Sequence, residues 1–319
     1  MICTVVIVTL NRPDCVSRCL ECLRVQSLQP EQVIVVDASA DDRTANVVQR
    51  FDGVDYIHSN AGFGHMTYGR NLGLARATGD FVAFLDDDAF AHEGWLAALI
   101  EPYADPTIGG VGGRALNGLP GEASIGIERI GRILRTGEVT GNFGADPGRV
   151  IEVDHIIGCN MSWRREVLAR LGPLREVYRG TEAREDTDIS LRVRSLGYRI
   201  LFNPAAVVDH IGAPRAVGNR FGPLGTYYGS RNTVLLYVLN YGLLSRLVWA
   251  TVVASLGVWV TDLARRTSAG MLRLALGTAG LVAGLFGGIW LLVKREGDFR
   301  FHDKKVDNVV TQLDPQPRV

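Results

Sequence analysis

Over the first hundred positions, short apolar, β-branched runs alternate with stretches whose apolar residues recur at helical spacing. Ile2 to Val8, Gln32 to Val36 and Val54 to His58 read as buried strands, and Phe81 to Leu85, preceded by the turn pair Gly79-Asp80, as a fourth. Between them, Asp14 to Val25 (with Pro13 suited to a helix start), Asp42 to Phe51 and Tyr68 to Ala77 read as helices. This β-α-β-α-β-α-β order predicts an α/β domain with a mostly parallel sheet and flanking helices, its ligands collected at the carboxyl ends of the strands. Those ends are Thr9-Leu10-Asn11, Asp37-Ala38-Ser39, Ser59-Asn60-Ala61 and Asp86-Asp87-Asp88, so polar and acidic residues converge on one crevice.

The pattern weakens from 109 to 148, a glycine-rich region that reads as turns, hairpins and a mobile loop. Order resumes from Val150 to Ile157. Arg164 to Leu171 reads as a helix ended by Gly172-Pro173, and 184–204 as an acidic helix start, a helix stopped by Gly197 and a strand. Past residue 232 the apolar content rises. Leu247 to Thr261 is a run of 15 residues, and Leu274 to Val293 a run of 20 without a charge. At about 1.5 Å per residue the second reaches about 30 Å, enough to cross a bilayer. A two-span hairpin would export Arg265, Arg266 and Arg273, and a single span would export Lys294 and Lys304. Interfacial attachment of both segments avoids either conflict. The alternative, a buried helical hairpin at a dimer interface, leaves a homo-oligomer open.

Composition narrows the function classes. A chain of 319 residues holds one large domain or two smaller ones, and its 34 basic and 34 acidic residues give no basic field, so nucleic acid is not an expected partner. Cys15, Cys19 and Cys22 fall at helical spacing without a nearby histidine, and with Cys3 and Cys159 they read as core residues of a reduced, cytoplasmic protein. "MICTVVIVTLNRP" lacks a basic leader and reads as a first strand.

Candidate chemistry centres on the aspartate triplet. Strand alternation sends Asp86 and Asp88 one way and Asp87 the other. Carboxylates crowded at the end of a buried strand repel unless a cation, donors or water intervene, and a divalent metal on oxygen ligands meets that need. The competing reading is a solvated acidic turn. Neither G-x-G-x-x-G after the first strand nor G-x-x-x-x-G-K-[ST] occurs, and "GGVGG" (109–113) is no substitute, so dinucleotide and P-loop sites lack their phosphate cradle.

Five stretches in order, "VVIVTLNRP", "VIVVDAS", "GRNLGLARATGDFVAFLDDDAF", "GCNMSWRREVL" and "REDTDISLRVRSLGYRILFNP", resemble a family 2 glycosyltransferase of the GT-A fold, non-processive and rhamnosyltransferase-like, over roughly residues 2 to 212. The resemblance implies that Asp88 holds Mg²⁺ or Mn²⁺ with His210 as a further ligand, and that Asp86 faces the ribose. It assigns Thr9, Asn11, Arg12, Asp37, Arg70 and Asp87 to the nucleotide sugar. Glu185-Asp186 is similar to the family's ED pair, with Asp186 as general base and Asp188 an acid close enough to blur the assignment. Asn160 and Trp163 fall where the acceptor side is usually built. Where processive members carry Q-x-x-R-W, this chain reads "TYYGSRNTVLLY" (226–237), which favours one sugar per encounter.

The implied organisation is a catalytic domain over 1–215 (nucleotide-sugar half 1–115, acceptor half 116–215), a connector over 216–240, membrane-associated helices over 241–295 and a polar tail over 296–319. The implied activity is a metal-dependent, inverting hexosyltransferase type. It would use a UDP-, dTDP- or GDP-sugar donor and a glycan or lipid-linked acceptor, at the cytoplasmic face of the cell membrane, in cell-envelope polysaccharide or glycolipid synthesis. Two alternatives are a synthase that loads sugar onto polyprenyl phosphate and a GT-A domain that binds nucleotide sugar without catalysis. A nucleotidyltransferase would want a basic, glycine-rich loop that "TLNRPDC" does not offer.

Overall fold

The computed structural model describes residues 2–212, 223–264 and 268–295. The β-branched runs form the strands expected of them. β1 (Cys3–Thr9) leads to α1 (Pro13–Arg24), β2 (Gln32–Asp37) to α2 (Arg43–Val48), β3 (Val54–His58) to α3 (Met66–Arg76), and β4 (Phe81–Asp86) follows. These strands are parallel in the order β3-β2-β1-β4, and their central residues, such as Val5, Ile7, Ile34, Val35 and Phe84, are fully buried because helices cover both faces.

Beyond β4 come β5 (Ala89–Ala91), α4 (Trp95–Ile100), β6 (Ile108–Leu116), β7 (Ile151–Glu152), β8 (Asn160–Arg164), α5 (Arg165–Leu171), α6 (Glu185–Ser195) and β9 (Arg199–His210). They extend the same sheet as β4-β8-β6-β9-β5, with β8 antiparallel to both neighbours and β7 paired to β9, so this half is mixed. On one face α1, α2 and α4 bury Val16, Leu20, Val47, Trp95 and Leu99. On the other, α5 and α6 bury Val167, Leu168, Ile189 and Val193.

The glycine-rich region departs from expectation. Ile108–Leu116, expected among turns and a mobile loop, is a buried strand inside the sheet. Glycine leaves no apolar signature, and here it serves close packing: a Cβ on Gly110 would lie 2.4 Å from Cζ3 of the buried Trp163. Order between 150 and 157 is thinner than expected, since β7 is two residues long.

The segment expected as a connector, 216–240, overlaps α7 (Pro223–Tyr241), which is followed by α8 (Arg246–Ala264) and α9 (Ser268–Arg295). A third core joins Tyr178 and Leu191 of the sheet domain to Val234, Leu235, Tyr237 and Val238 of α7, Val248 of α8 and Leu281 of α9. Residues 216–222, Arg265, Arg266 and the tail 296–319 with Lys304 lie outside the described residues. The cysteines are all free, with Cys3, Cys19 and Cys159 buried.

Gly110→Ala is expected to cost about 1–3 kcal/mol by overpacking against Trp163. Gly229→Ala, inside α7 with nothing within 4 Å of the added Cβ, should be neutral or stabilise by up to ~1 kcal/mol. Thermal midpoints of the two purified variants check this, and equal midpoints would show that β6 yields to the extra methyl.

Candidate active site

Register brings four chain segments to one edge. Thr9 pairs with Asp37 across β1 and β2, and Val8 with Asp86 across β1 and β4, so the parallel strands end together. β9 returns from the far side of the sheet: Ala89 pairs with His210, and the Ile211 N–H donates to the Asp88 carbonyl at 3.1 Å. Asp86, Asp88 and His210 thereby turn one ligand atom each toward a common point, all within 4.8 Å of one another. His210 Nε2 lies 3.5 Å from Asp88 Oδ1. Two carboxylates and an imidazole form a donor set that fits Mg²⁺ or Mn²⁺. The helical cysteines Cys15, Cys19 and Cys22 form no such group among the described residues.

Asp87 turns elsewhere. Thr9 Oγ1 donates to its Oδ2 at 2.7 Å and Arg12 Nη1 to its Oδ1 at 2.8 Å, and Arg12 also reaches Asp88 at 3.2 Å. Burial pushes the Asp87 carboxyl up to about 7, against the pull of Arg12. Asn11 adopts a left-handed backbone (φ 56°) and donates its N–H to Ser39 Oγ at 2.7 Å. Asp37 is fully buried. Its Oδ1 accepts the Ser39 N–H at 2.9 Å and its Oδ2 accepts the Tyr56 hydroxyl at 2.9 Å, while α2 has no side-chain cap, so helix capping is not its role.

Arg70 joins the two halves. It sits on α3, where Gly69 and Gly73 let the helix approach β1 so closely that added Cβ atoms would lie 2.7 Å from Val8 and 2.3 Å from Val6 side chains. From there the guanidinium, 2% exposed, pairs with Asp86 Oδ1 at 2.8 Å, with Glu185 Oε1, and with the Gly158 carbonyl at 3.0 Å. Glu185 is buried and its Oε2 has no hydrogen-bond partner. Burial raises its carboxyl to about 8, although Arg70 pulls it down.

The neighbouring acids divide. Asp186 is half-buried at the start of α6 and accepts N–H groups from Gly158 at 3.1 Å and Thr187 at 2.6 Å. Asp188 is buried on the opposite side, paired with Arg175 at 2.7 Å and accepting Asn240 of α7 at 2.7 Å. Asp188 is therefore a packing acid, and the ambiguity within "EDTD" narrows to the first two residues. Asn160 and Trp163, expected on the acceptor side, are instead fully buried. Asn160 donates to the Arg114 and Ala206 carbonyls and accepts Trp95 Nε1, which ties three strands to α4 and faces no cleft.

A cleft runs past Thr9, Arg12, Asp86, Asp88 and His210. Its lining also includes 62–66 and Gly180, Thr181 and Glu182, which sequence reasoning missed. The only available signal was an acid three positions ahead of Glu185, in a stretch without periodicity.

A family model described as glycosyl transferase family 2 matches residues 4–172. The chain is 28% identical over 188 residues to a pre-mycofactocin glycosyltransferase of Mycobacterium tuberculosis, covering 58% of this chain and 38% of that protein. It is 26% identical over 212 residues to a glucosyl-dolichyl phosphate glucuronosyltransferase of Haloferax volcanii, covering 63% of this chain and 66% of that one. The chain thus spans only part of the length of these curated relatives. Its fold is similar to that of the mannosyltransferase PcManGT from Pyrobaculum calidifontis, solved in complex with GDP-Man and Mn²⁺. That likeness has a TM-score of 0.54 at 19% identity and covers 90% of this chain and 87% of that one.

The division of the acids predicts opposite stability effects. Asp188→Asn leaves Arg175 and Arg192 without their buried counter-charge and should cost roughly 2–4 kcal/mol. Asp186→Asn should stay within about 1 kcal/mol of the parent. Thermal unfolding of the pair checks it, and equal losses would refute the division.

Proposed function

The chain belongs to glycosyl transferase family 2, and on that footing we propose that it moves one sugar, with inversion, from a nucleoside diphosphate sugar to a lipid-linked glycan acceptor. The observation that carries this reading is the Arg70 bridge. One buried cation brings the end of β4, with Asp86, and the start of α6, with Glu185, to the same point. An in-line displacement needs a leaving-group side and a base side across one cleft.

Thr9, Arg12 and Asp37, at the ends of β1 and β2, would receive the nucleotide. Asp86, Asp88 and His210 would hold Mg²⁺ or Mn²⁺, which when bound supplies charge stabilisation to the departing diphosphate. Asp186 is the proposed base on the acceptor hydroxyl. It is the less buried acid of the pair and stands in the first turn of α6. Glu185, held by Arg70, orients that turn of α6.

We further propose that the chain attaches to the cytoplasmic membrane face through α8 and α9. The segment Leu274–Lys294, 21 residues long, has the length and hydropathy to cross a bilayer. Its packing favours an in-plane position. Gly280, Gly284 and Gly288 of α9 lie against α7, whose fully buried Asn232 bonds to the catalytic body. The outward face carries Trp249 and Val253 of α8 and Val282, Phe286, Trp290 and Val293 of α9, all exposed. Lys294 stands over the Trp290 ring at 4.9 Å, an aromatic and cation pairing suited to a headgroup layer. This location supports a lipid-linked acceptor in envelope polysaccharide or glycolipid assembly.

The test is nucleoside diphosphate release by detergent-purified protein with UDP-, GDP- and dTDP-sugars, Mn²⁺ or Mg²⁺, and a lipid extract. One donor should be turned over, EDTA should abolish release, and Asp186→Asn should lower the rate about 10²–10⁴-fold. Full activity of Asp186→Asn on polyprenyl phosphate alone would instead favour the phosphate-loading synthase, and binding of donor without any release would favour a non-catalytic module.

For attachment, alkaline carbonate should strip the protein from inverted membrane vesicles, and a tag appended to the carboxyl end should be digested from the same side as the catalytic body. A carbonate-resistant pellet or a protected tag would overturn the in-plane arrangement.

A further inference from the structure

We propose that Glu182 is a specificity-determining residue whose free carboxylate oxygen accepts a hydrogen bond from a hydroxyl of the sugar being transferred. The inference rests on the transferase reading above and assigns a role to a residue outside the aspartate cluster and the Glu185-Asp186 pair.

Glu182 lines the cleft that also contains Asp86, Asp88 and His210, and it is 5% exposed. Its backbone is left-handed (φ 54°), as is that of Arg184 two residues on (φ 88°). Outside glycine such conformations cost of order 1–3 kcal/mol and persist only where the surroundings over-determine them.

Here they do. Glu182 Oε2 accepts both the N–H of Thr67 at 2.7 Å and its hydroxyl at 2.8 Å, in the first turn of α3, where the preceding His65 provides no side-chain cap. From behind, Asn232 of α7 donates to the Arg179 and Ala183 carbonyls at 3.0 and 3.1 Å, and Arg184 Nε donates to Thr233 at 3.1 Å. The segment is thus clamped between α3 and α7, with one acid presented to the cavity.

The other oxygen decides the chemistry. Capping α3 occupies Oε2 alone, and among the described residues Oε1 accepts no hydrogen bond. A carboxylate oxygen held at a cavity wall with unused acceptor capacity calls for a donor from the ligand. Of the parts of a nucleoside diphosphate sugar, the diphosphate is repelled by like charge. The sugar is the polyhydroxyl group that adjoins the diphosphate, and Glu182 lines the same cleft as Asp86 and Asp88. A carboxylate that accepts a specific hydroxyl also rejects the sugar lacking it, because an oxygen covered by the bound sugar is then left unpaired.

The test measures binding of two ligands to the full-length protein by calorimetry with Mn²⁺: the nucleotide sugar that supports release, and the matching nucleoside diphosphate, which retains base, ribose and both phosphates. Glu182→Gln should weaken the nucleotide sugar about 10- to 100-fold and leave the nucleoside diphosphate within about twofold. Among monodeoxy donors, one should bind the parent protein as weakly as the full sugar binds Glu182→Gln, and that variant should not distinguish the two. Thr67→Val keeps the carboxylate and removes one anchor, so it should give a smaller loss on the same ligand.

Equal weakening of both ligands by Glu182→Gln would reduce Glu182 to a cap of α3 and overturn the proposal. So would unchanged discrimination among the deoxy donors. Failure of the parent protein to bind any nucleotide sugar would overturn the transferase reading and this inference with it, whereas donor turnover with an indifferent Glu182→Gln would overturn this inference alone.

Discussion

The site depends on one buried cation. Arg70, 2% exposed, has a charge that the interior tolerates only if paired, since an unpaired buried ion costs several kcal/mol. Pairing it requires Asp86 from the end of β4, Glu185 from the start of α6 and the Gly158 carbonyl from the turn before β8 to arrive together. Local sequence proximity cannot achieve this, because Glu185 lies 115 positions away. The paired glycines of α3 are the enabling condition: with side chains at 69 and 73 the helix would stand off the sheet and the guanidinium would fall short. Closing the fold and assembling the site are thus one event, and loosening any member leaves a charge buried alone.

The cation also shows how unbalanced the remainder is. Asp86, Asp87, Asp88, Glu182, Glu185 and Asp186 crowd one region, and Arg12 and Arg70 are the cations that pair with them in the described site. Burial pushes Asp87 to about 7 and Glu185 to about 8, both toward the neutral form, as crowded carboxyls respond when counter-charge is scarce. An anionic diphosphate entering such a cleft meets like charge. A divalent cation held by Asp86, Asp88 and His210 would offset part of that negative field, so the charge balance of the cleft fits such an ion on grounds separate from the family.

How much of this was legible in the sequence differs by element. β1 to β4 announced themselves because parallel strands covered on both faces must be continuously apolar, and their polar ends then mark the crevice. β6 was invisible for the opposite reason: its glycines answer to bulk from other segments, Gly110 to Trp163, Gly112 to Ile156 and Gly113 to Ala206. Asn160 looked functional as a polar residue beside a motif, yet its amide is consumed in joining β6, β9 and α4. Asp188 and Asp186 are indistinguishable as letters, and only helix geometry, two residues being about 200° around the axis, sends one to Asn240 of α7 and the other to the Gly158 N–H before β8. Glu182 offered only its position three residues ahead of Glu185, since what sets it apart is a left-handed backbone and a partner on α3.

α7 is where chemistry and location meet. Toward the body it donates from Arg231 to the Val177 carbonyl and from Asn232 to Arg179 and Ala183, accepts from Arg184 at Thr233, and donates from Asn240 to Asp188. Toward the outside it packs on the glycine ridge of α9. A fully buried asparagine bonded to catalytic backbone is costly inside hydrocarbon and well placed in the floor of a water-soluble body, so α7 belongs to the domain. With the apolar face of α8 and α9 against a membrane, the segment from 177 to 188 leans on a helix one layer from the lipid. On the proposed attachment, the angle of the cleft to the surface would be set in part by these side-chain hydrogen bonds. Such an arrangement would suit the lipid-linked acceptor proposed above, and the polar face of α7, more than the apolar run itself, would then couple the membrane to the cleft.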